Sequence, residues 1–258
     1  CNFAANYKFI DMGSYIKWYE SIDSTNSEAL RQCEQCDDFT VFAAKLQTGG
    51  RGQQGTKWES ESGKNLTFSL IIKPSDLKAK FQFIISQIVT VGLKNYLNSR
   101  GIEAKIKWPN DIYVGDKKIC GILIESFLSG DRLSGSIIGI GLNVNQRTFL
   151  SDAPNPVSMS IITGKEYVLE DELQELVKHI DILYSGYNEE SDSGESIPEK
   201  EYLDSLYRKD SWFNYEDVAT GEVFRARITG IDKSACLILE RDNGVKKSYS
   251  FKEVRYII

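Results

Sequence analysis

Two stretches of this chain concentrate residues able to handle anions. The first is GGRGQQGTKW, from Gly49 to Trp58, with an arginine and two amides among four glycines. Gly50, Gly52 and Gly55 match G-x-G-x-x-G, the dinucleotide fingerprint. Gly50 and Gly55 also keep P-loop spacing, but Thr56 and Lys57 stand where a lysine and then a hydroxyl residue belong. The second stretch is KWPNDIYVGDKKICGILIE (107–125), with Lys118 inside a strand-like run. By period two, Cys120, Ile122 and Ile124 share its face, and Ile119 and Leu123 take the other. An ammonium aimed into a sheet covered on both sides needs an anionic partner. The alternative is a lysine snorkelling out from a strand end.

Other chemistries find less support. The single histidine, His179, sits in LQELVKHIDILYSGY, an amphipathic helical pattern, and reads as structural or solvated. Cys33 and Cys36 form C-x-x-C late in a helix, whereas redox pairs sit at a helix N-terminus that lowers the thiol pKa. Zinc would need two further ligands at matched spacing. Five scattered cysteines make a poor disulfide framework and suit a reducing, cytoplasmic setting. No signal peptide or bilayer-spanning run is evident, so no membrane partner is expected. A net charge of -6 argues against a dedicated DNA binder, which usually carries a basic face.

The elements that must position these residues follow from periodicity. YIKWYESIDSTNSEAL reads as a strand and then a helix from Thr25, with Thr25 and Glu28 matching a capping box. Residues 39–47 and 65–73 read as strands on either side of the glycine loop. LKAKFQFIISQIVTVGLKNYLNSRG is a helix stopped by Gly101. Three strand-like runs follow, with Gly115-Asp116 as a turn, and then a helix near 169–186. An acidic, Ser/Gly-rich stretch (about 186–198) reads as an exposed loop. The tail is short strands with Asp242-Asn243-Gly244 as a hairpin turn. The expected division is a mixed α/β body over 1–208 and a small all-β barrel over 209–258.

Both phosphate fingerprints require a helix directly after the glycines. Here TKWESESGKN follows, without an apolar helical stripe, and then another strand. The loop therefore joins two strands of a mixed sheet. A plain flexible hairpin tip is the bland alternative.

Taken together, GRGQQGTKW, KWPND, KICGILIE and GIGLNVN, in that order, closely resemble the biotin protein ligase family. The motifs run from about residue 22 to 145, and the helix, acidic loop and β tail match the family's layout. The resemblance implies an α+β fold: a mixed β-sheet with helices, akin to class II tRNA synthetases, plus a C-terminal small all-β barrel. It also implies a two-step reaction. Biotin's carboxylate attacks the α-phosphorus of ATP, and a lysine of a biotin carboxyl carrier protein then takes the biotinyl group from biotinyl-5′-AMP.

By the same carry-over, Lys118 bridges the biotin carboxylate and the α-phosphate, and Arg51 belongs to the loop that folds over biotin. Ser24, Thr25 and Gln47 would bond the ureido ring, and capping or strand-end solvation is their bland alternative. Gly50, Gly52, Gln53 and Gly121 complete the biotin side. Lys107, Asn110, Asp111, Lys118 and Asn143 form the nucleotide side, with Asp111 near Mg²⁺. A plain Pro-Asn-Asp turn is the competing reading of Asn110 and Asp111. Trp58 and Trp108 read as anchors. Gln53 stands where the family's loop commonly has a second arginine, so a leakier adenylate is expected unless another group such as Lys57 compensates.

Some members of the family carry an N-terminal helix-turn-helix, but only about twenty residues precede DSTN, so no DNA partner is expected. A lipoate or octanoate ligase shares the scaffold; the GRG loop and KWPND favour biotin. A non-catalytic binding module is the third reading, disfavoured by a cation at the reacting carboxylate. Monomer and homodimer both remain open.

Overall fold

The computed structural model describes residues 16–52, 58–150, 155–187 and 197–258. Among these, a seven-stranded sheet has the order β1-β2-β3-β7-β6-β5-β4. Its strands are β1 (Ile16–Ile22), β2 (Val41–Gln47), β3 (Leu66–Ile72), β4 (Lys105–Lys107), β5 (Asp111–Val114), β6 (Lys117–Ser129) and β7 (Arg132–Leu142). Only β1 and β2 pair in parallel; every other neighbour is antiparallel, so the sheet is mixed as expected.

The two faces of this sheet differ. Leu66, Phe68 and Leu70 of β3 stand beside Leu142, Ile140 and Ile138 of β7 on one face, with Ile122 of β6. These apolar side chains pack with α2 (Phe83–Ser99) and α4 (Leu169–Ser185) in the main core. Each fully buried Leu, Ile or Phe contributes roughly 1.5–3 kcal/mol relative to exposure. The opposite face reads Thr67, Gly141, Gly121 in one row and Ser69, Gly139, Leu123 in the next. There α1 (Thr25–Gln32) lies over a small cluster of Ala29, Phe42, Ile71 and Ile137. On β6 and β7 that face is floored by Gly121, Gly139 and Gly141.

The glycine loop runs from β2 to β3, antiparallel neighbours, and no helix separates them among the described residues. That geometry excludes both phosphate fingerprints. Gly115 adopts φ 55° in the turn between β5 and β6, a conformation glycine takes without penalty.

Two readings of the elements need correction. The first helix starts at Thr25, but its N-cap is Ser24 and no side-chain cap bond forms, so the capping box is absent. Thr25 is spent elsewhere, as described below. The stretch near 186–198 is not all loop: α5 (Ile197–Asp204) begins inside it, Pro198 being tolerated in a first turn where its missing N–H has no partner to lose. Residues 188–196 lie outside the described ones. Short elements with little periodicity were also invisible: α3 (Met159–Thr163) and β8 (Phe213–Asp217).

The C-terminal part is a five-stranded antiparallel sheet, order β11-β10-β9-β8-β12. It comprises β8, β9 (Val223–Ile231), β10 (Leu237–Arg241), β11 (Lys246–Tyr249) and β12 (Val254–Tyr256). It packs on the turn that carries the KWPND residues. The Trp108 indole donates to the Ala235 carbonyl at 3.0 Å and meets Phe251 edge-on at 6.0 Å.

Candidate active site

The site lies on the glycine-floored face, and the floor is a sequence property. A Cβ at Gly141 would sit 2.3 Å from Trp58 Cε2, and one at Gly121 would sit 2.9 Å from Trp58 Cζ3. One at Gly139 would sit 2.2 Å from Asn26 Oδ1. Real Cβ atoms do not approach that closely, so three glycines let an indole and a carboxamide lie on the sheet itself.

Lys118 reaches this floor because of a β-bulge. Ile112 pairs with Cys120 but Tyr113 pairs with Lys118, leaving Ile119 as the extra residue of β6. An extra residue reverses the alternation of faces. Lys118 therefore does not share a face with Cys120, Ile122 and Ile124, as strict period two required. A Cβ at Gly121 would instead lie 3.2 Å from Lys118 Nζ, placing the ammonium on the glycine side. Its anionic partner is Asp111, with Nζ to Oδ2 at 2.8 Å and both side chains about a quarter exposed (27% and 25%).

A second cation adjoins this pair. Lys107 lies opposite Asp111 in the β4–β5 ladder, its Nζ 5.0 Å from the Tyr113 ring centre and 4.9 Å from that of Tyr256 in β12. Burial pushes its pKa below the ordinary lysine value, the neighbouring Asp111 carboxylate opposing this and Lys118 and Arg208 reinforcing it. The Asp111 carboxylate thus stands between two lysines, leaving an excess of positive charge to attract an anion.

At the other end, Thr25 N and Oγ1 both donate to Gln47 Oε1, at 2.8 and 3.2 Å. Ser69 Oγ lies 2.7 Å from Thr25 Oγ1 and 2.6 Å from Asn26 Oδ1, one hydroxyl proton facing two acceptors. Asn26 Nδ2 donates to Glu125 Oε2 at 2.7 Å, and Arg51 Nη2 lies 3.9 Å from the same oxygen. The loop's entry is tied to β1 by bonds from Thr48 N to Ile22 O (2.9 Å) and Gly49 N to Asp23 O (2.7 Å). Trp58 N donates to Gly50 O at 3.3 Å, drawing the two ends of the loop together.

Of the sequence-predicted residues, Thr25, Gln47, Gly50, Arg51, Gly121, Lys118, Asp111 and Lys107 take part in these contacts on the glycine face or at its ends. Ser24 is buried beside Thr25. Asn110 is buried with Nδ2 donating to Ile122 O at 3.0 Å, which staples the turn to β6. Asn143 donates from Nδ2 to Val157 O at 3.1 Å, and its buried Oδ1 has no hydrogen-bond partner. Gly52 is among the described residues, and Gln53 and Lys57 lie outside them.

Sequence reasoning missed Asn26, Ser69, Glu125, Tyr256 and the placement of Trp58. Trp58 read as an anchor, yet its ring lies on the glycine floor with a buried, unpartnered Nε1. A signal was present in Gly139 and Gly141, two glycines at period two on one strand, which mark a face cleared of side chains.

The arrangement can hold a molecule anionic at one end and rich in polar hydrogen-bonding groups at the other. The profile of the Biotin/lipoate A/B protein ligase family matches residues 18–143. The bifunctional ligase/repressor BirA of Bacillus subtilis is 30% identical over 243 residues, which cover 93% of this chain and 73% of that protein. The biotin--[acetyl-CoA-carboxylase] ligase of Paracoccus denitrificans is 31% identical over 124 residues, 47% of this chain and 51% of that one. The biotin protein ligase from Aquifex aeolicus, solved with biotin and ATP, aligns at TM-score 0.72 and 25% identity, covering 94% of this chain and 99% of that one. The α+β, class II synthetase-like fold expected above is the fold found. On the strength of these relatives, this chain belongs to the biotin/lipoate A/B protein ligase family.

Proposed function

We propose that this chain joins biotin to ATP, forming biotinyl-5′-AMP and pyrophosphate, and then transfers biotin to one lysine of a biotin carboxyl carrier protein or domain. The observation that carries this reading is Lys118 on the glycine-lined face, opposite the Thr25–Gln47 hydrogen-bonding cluster. The ammonium would meet the carboxylate of the ligand, and the Thr25–Gln47 cluster its ureido ring.

In the first step a carboxylate oxygen attacks the α-phosphorus and the bond to the β-phosphate bridging oxygen breaks. Both reactants are anions; at about 4 Å two unit charges repel by roughly 4 kcal/mol at an effective dielectric near 20. Lys118 and Arg51 offset that repulsion, and Lys107 adds positive charge on the nucleotide side. In the second step the acceptor amine attacks the acyl carbon, an amide forms, and AMP leaves with the electron pair of the broken acyl–oxygen bond. The nucleotide side comprises Lys107, Asn110, Asp111 and Asn143, whose unpaired Oδ1 offers an acceptor for an amino group. On the biotin side stand Ser24, Thr25, Gln47, Gly50, Gly52 and Gly121.

Mg²⁺ fits this donor set in one way. The described residues contain no cluster of three acidic, His or Cys ligands, and Mg²⁺ ordinarily takes one or two carboxylates together with phosphate oxygens and water. Asp111 would supply the carboxylate, and the ion would neutralise phosphate charge. Residues 209–258 would form a separate small β domain, docked on the KWPND turn. A cytoplasmic setting suits the free Cys33, Cys36, Cys120 and Cys236, and no helix among the described residues is long and apolar enough to cross a membrane.

The test is ATP–pyrophosphate exchange dependent on biotin or lipoate, with Lys118→Ala alongside. Exchange with biotin only, lowered roughly 10³-fold in the variant by loss of a charge worth about 4 kcal/mol, is expected. Exchange with lipoate only would move the chain to the lipoate side of its family, and exchange with neither would leave a binding protein.

A further inference from the structure

We propose that Glu125 is a positioning residue for Arg51, held in place by Asn26, so that the charge closing over biotin is set by a carboxylate outside the reacting groups. The inference rests on the reading of Arg51 given above. Glu125 lies on β6 opposite Ile137, one row beyond the glycine floor and on the same face. Its Oε2 receives the Asn26 amide at 2.7 Å and faces Arg51 Nη2 at 3.9 Å.

The support beneath Glu125 is over-determined. Asn26 is buried, and both ends of its amide are used: Nδ2 on Glu125, Oδ1 on Ser69 Oγ at 2.6 Å. Turning the amide over would set its oxygen against the carboxylate, so one orientation is selected. Gly139 is what lets the amide lie on the sheet, because a Cβ there would meet all three of its terminal atoms within 3.1 Å. The glycine, the amide and the serine together fix a carboxylate that would otherwise have a long, free side chain.

The contact to Arg51 is of another kind. At 3.9 Å the pair attracts without a hydrogen bond, and both side chains are about half exposed (51% and 42%). Such a pair biases where the guanidinium sits without locking it, leaving its donors for a ligand. Ser69 Oγ also lies 2.7 Å from Thr25 Oγ1, whose own proton goes to Gln47, so the residues proposed for the ureido ring pack against the same serine.

Glu125→Gln isolates the charge, since its amide oxygen can still accept from Asn26. The measurement is the KM for biotin and kcat of ATP–pyrophosphate exchange, in wild type, Glu125→Gln, Arg51→Ala and the double variant, with Tm recorded for each. Expected are a rise in biotin KM of roughly fivefold for Glu125→Gln, the ceiling for a half-exposed pair, with kcat and Tm nearly unchanged. In the Arg51→Ala background the same substitution should have no further effect. Wild-type KM in Glu125→Gln, or full additivity with Arg51→Ala, would overturn the positioning role while leaving the Arg51 reading intact. An Arg51→Ala enzyme with unaltered kinetics would overturn both.

Discussion

Replacing Gly141 by alanine is the sharpest perturbation of the glycine floor. The added Cβ would lie 2.3, 2.5 and 2.6 Å from three atoms of the Trp58 indole, so the ring must withdraw by more than an ångström to reach ordinary contact. All three of those nearest atoms belong to Trp58, which places the strain on a loop side chain and spares the β3–β7–β6 ladder. Overpacking costs about 1–3 kcal/mol, and a partly exposed ring able to swing outward belongs at the lower end. At about 1 kcal/mol the Tm should fall by only roughly 2–4 °C in a chain of this size. Activity should respond far more. The methyl group would stand beside Lys118 and Gly121, where the carboxylate and α-phosphate are proposed to meet, and a misplacement of about 1 Å can lower rates about 100-fold. Thermal melting, tryptophan emission and biotin-dependent exchange would be measured on the same preparation. A variant with exchange within threefold of wild type and unshifted emission would refute the placement of the reaction on this floor.

Gly92→Ala provides the opposite case. Its Cβ would lie 2.8 Å from Ile180 Cγ1 and 2.9 Å from Ile180 Cα, forcing α2 and α4 apart. Overpacking near 3 kcal/mol, less about 1 kcal/mol of helix propensity regained, predicts a lower denaturant midpoint with unchanged turnover per folded molecule. Lys107 predicts a pH dependence: its pKa is held below the usual value by burial, and a bound phosphate should raise it. Nucleotide affinity should therefore fall as pH rises through the lowered pKa, earlier than for an ordinary lysine, and Lys107→Arg should flatten the profile in titration calorimetry. Gln53→Arg should slow release of free biotinyl-adenylate in a filter assay, and equal rates would dispose of the leakier-adenylate idea.

Much of the molecule is legible in its residue pattern. Strand and helix positions in the body follow from periodicity because a two-sided sheet and amphipathic helices impose repeats of two and 3.6. Short elements such as α3 and β8 carry too few residues for a period to emerge. The order of the loop, turn and strand motifs, with Lys118 and Arg51 in them, already pointed to adenylation chemistry.

What residue types and spacing determined was therefore which side chains are available and which elements carry them. What only the tertiary structure decided was which way they face and what they touch. A single inserted residue, Ile119, turns Lys118 from the apolar face to the glycine face, and no local pattern shows it because the bulge is defined by pairing with β5. Thr25 looks like a helix cap from its neighbours, yet its hydroxyl goes to Gln47, 22 positions away. Glu125 and Asn26 are 99 residues apart and meet only because α1 lies across β7 at a glycine. Hydrogen bonds and ion pairs act over a few ångströms of space, and the chain brings such distances about only by folding.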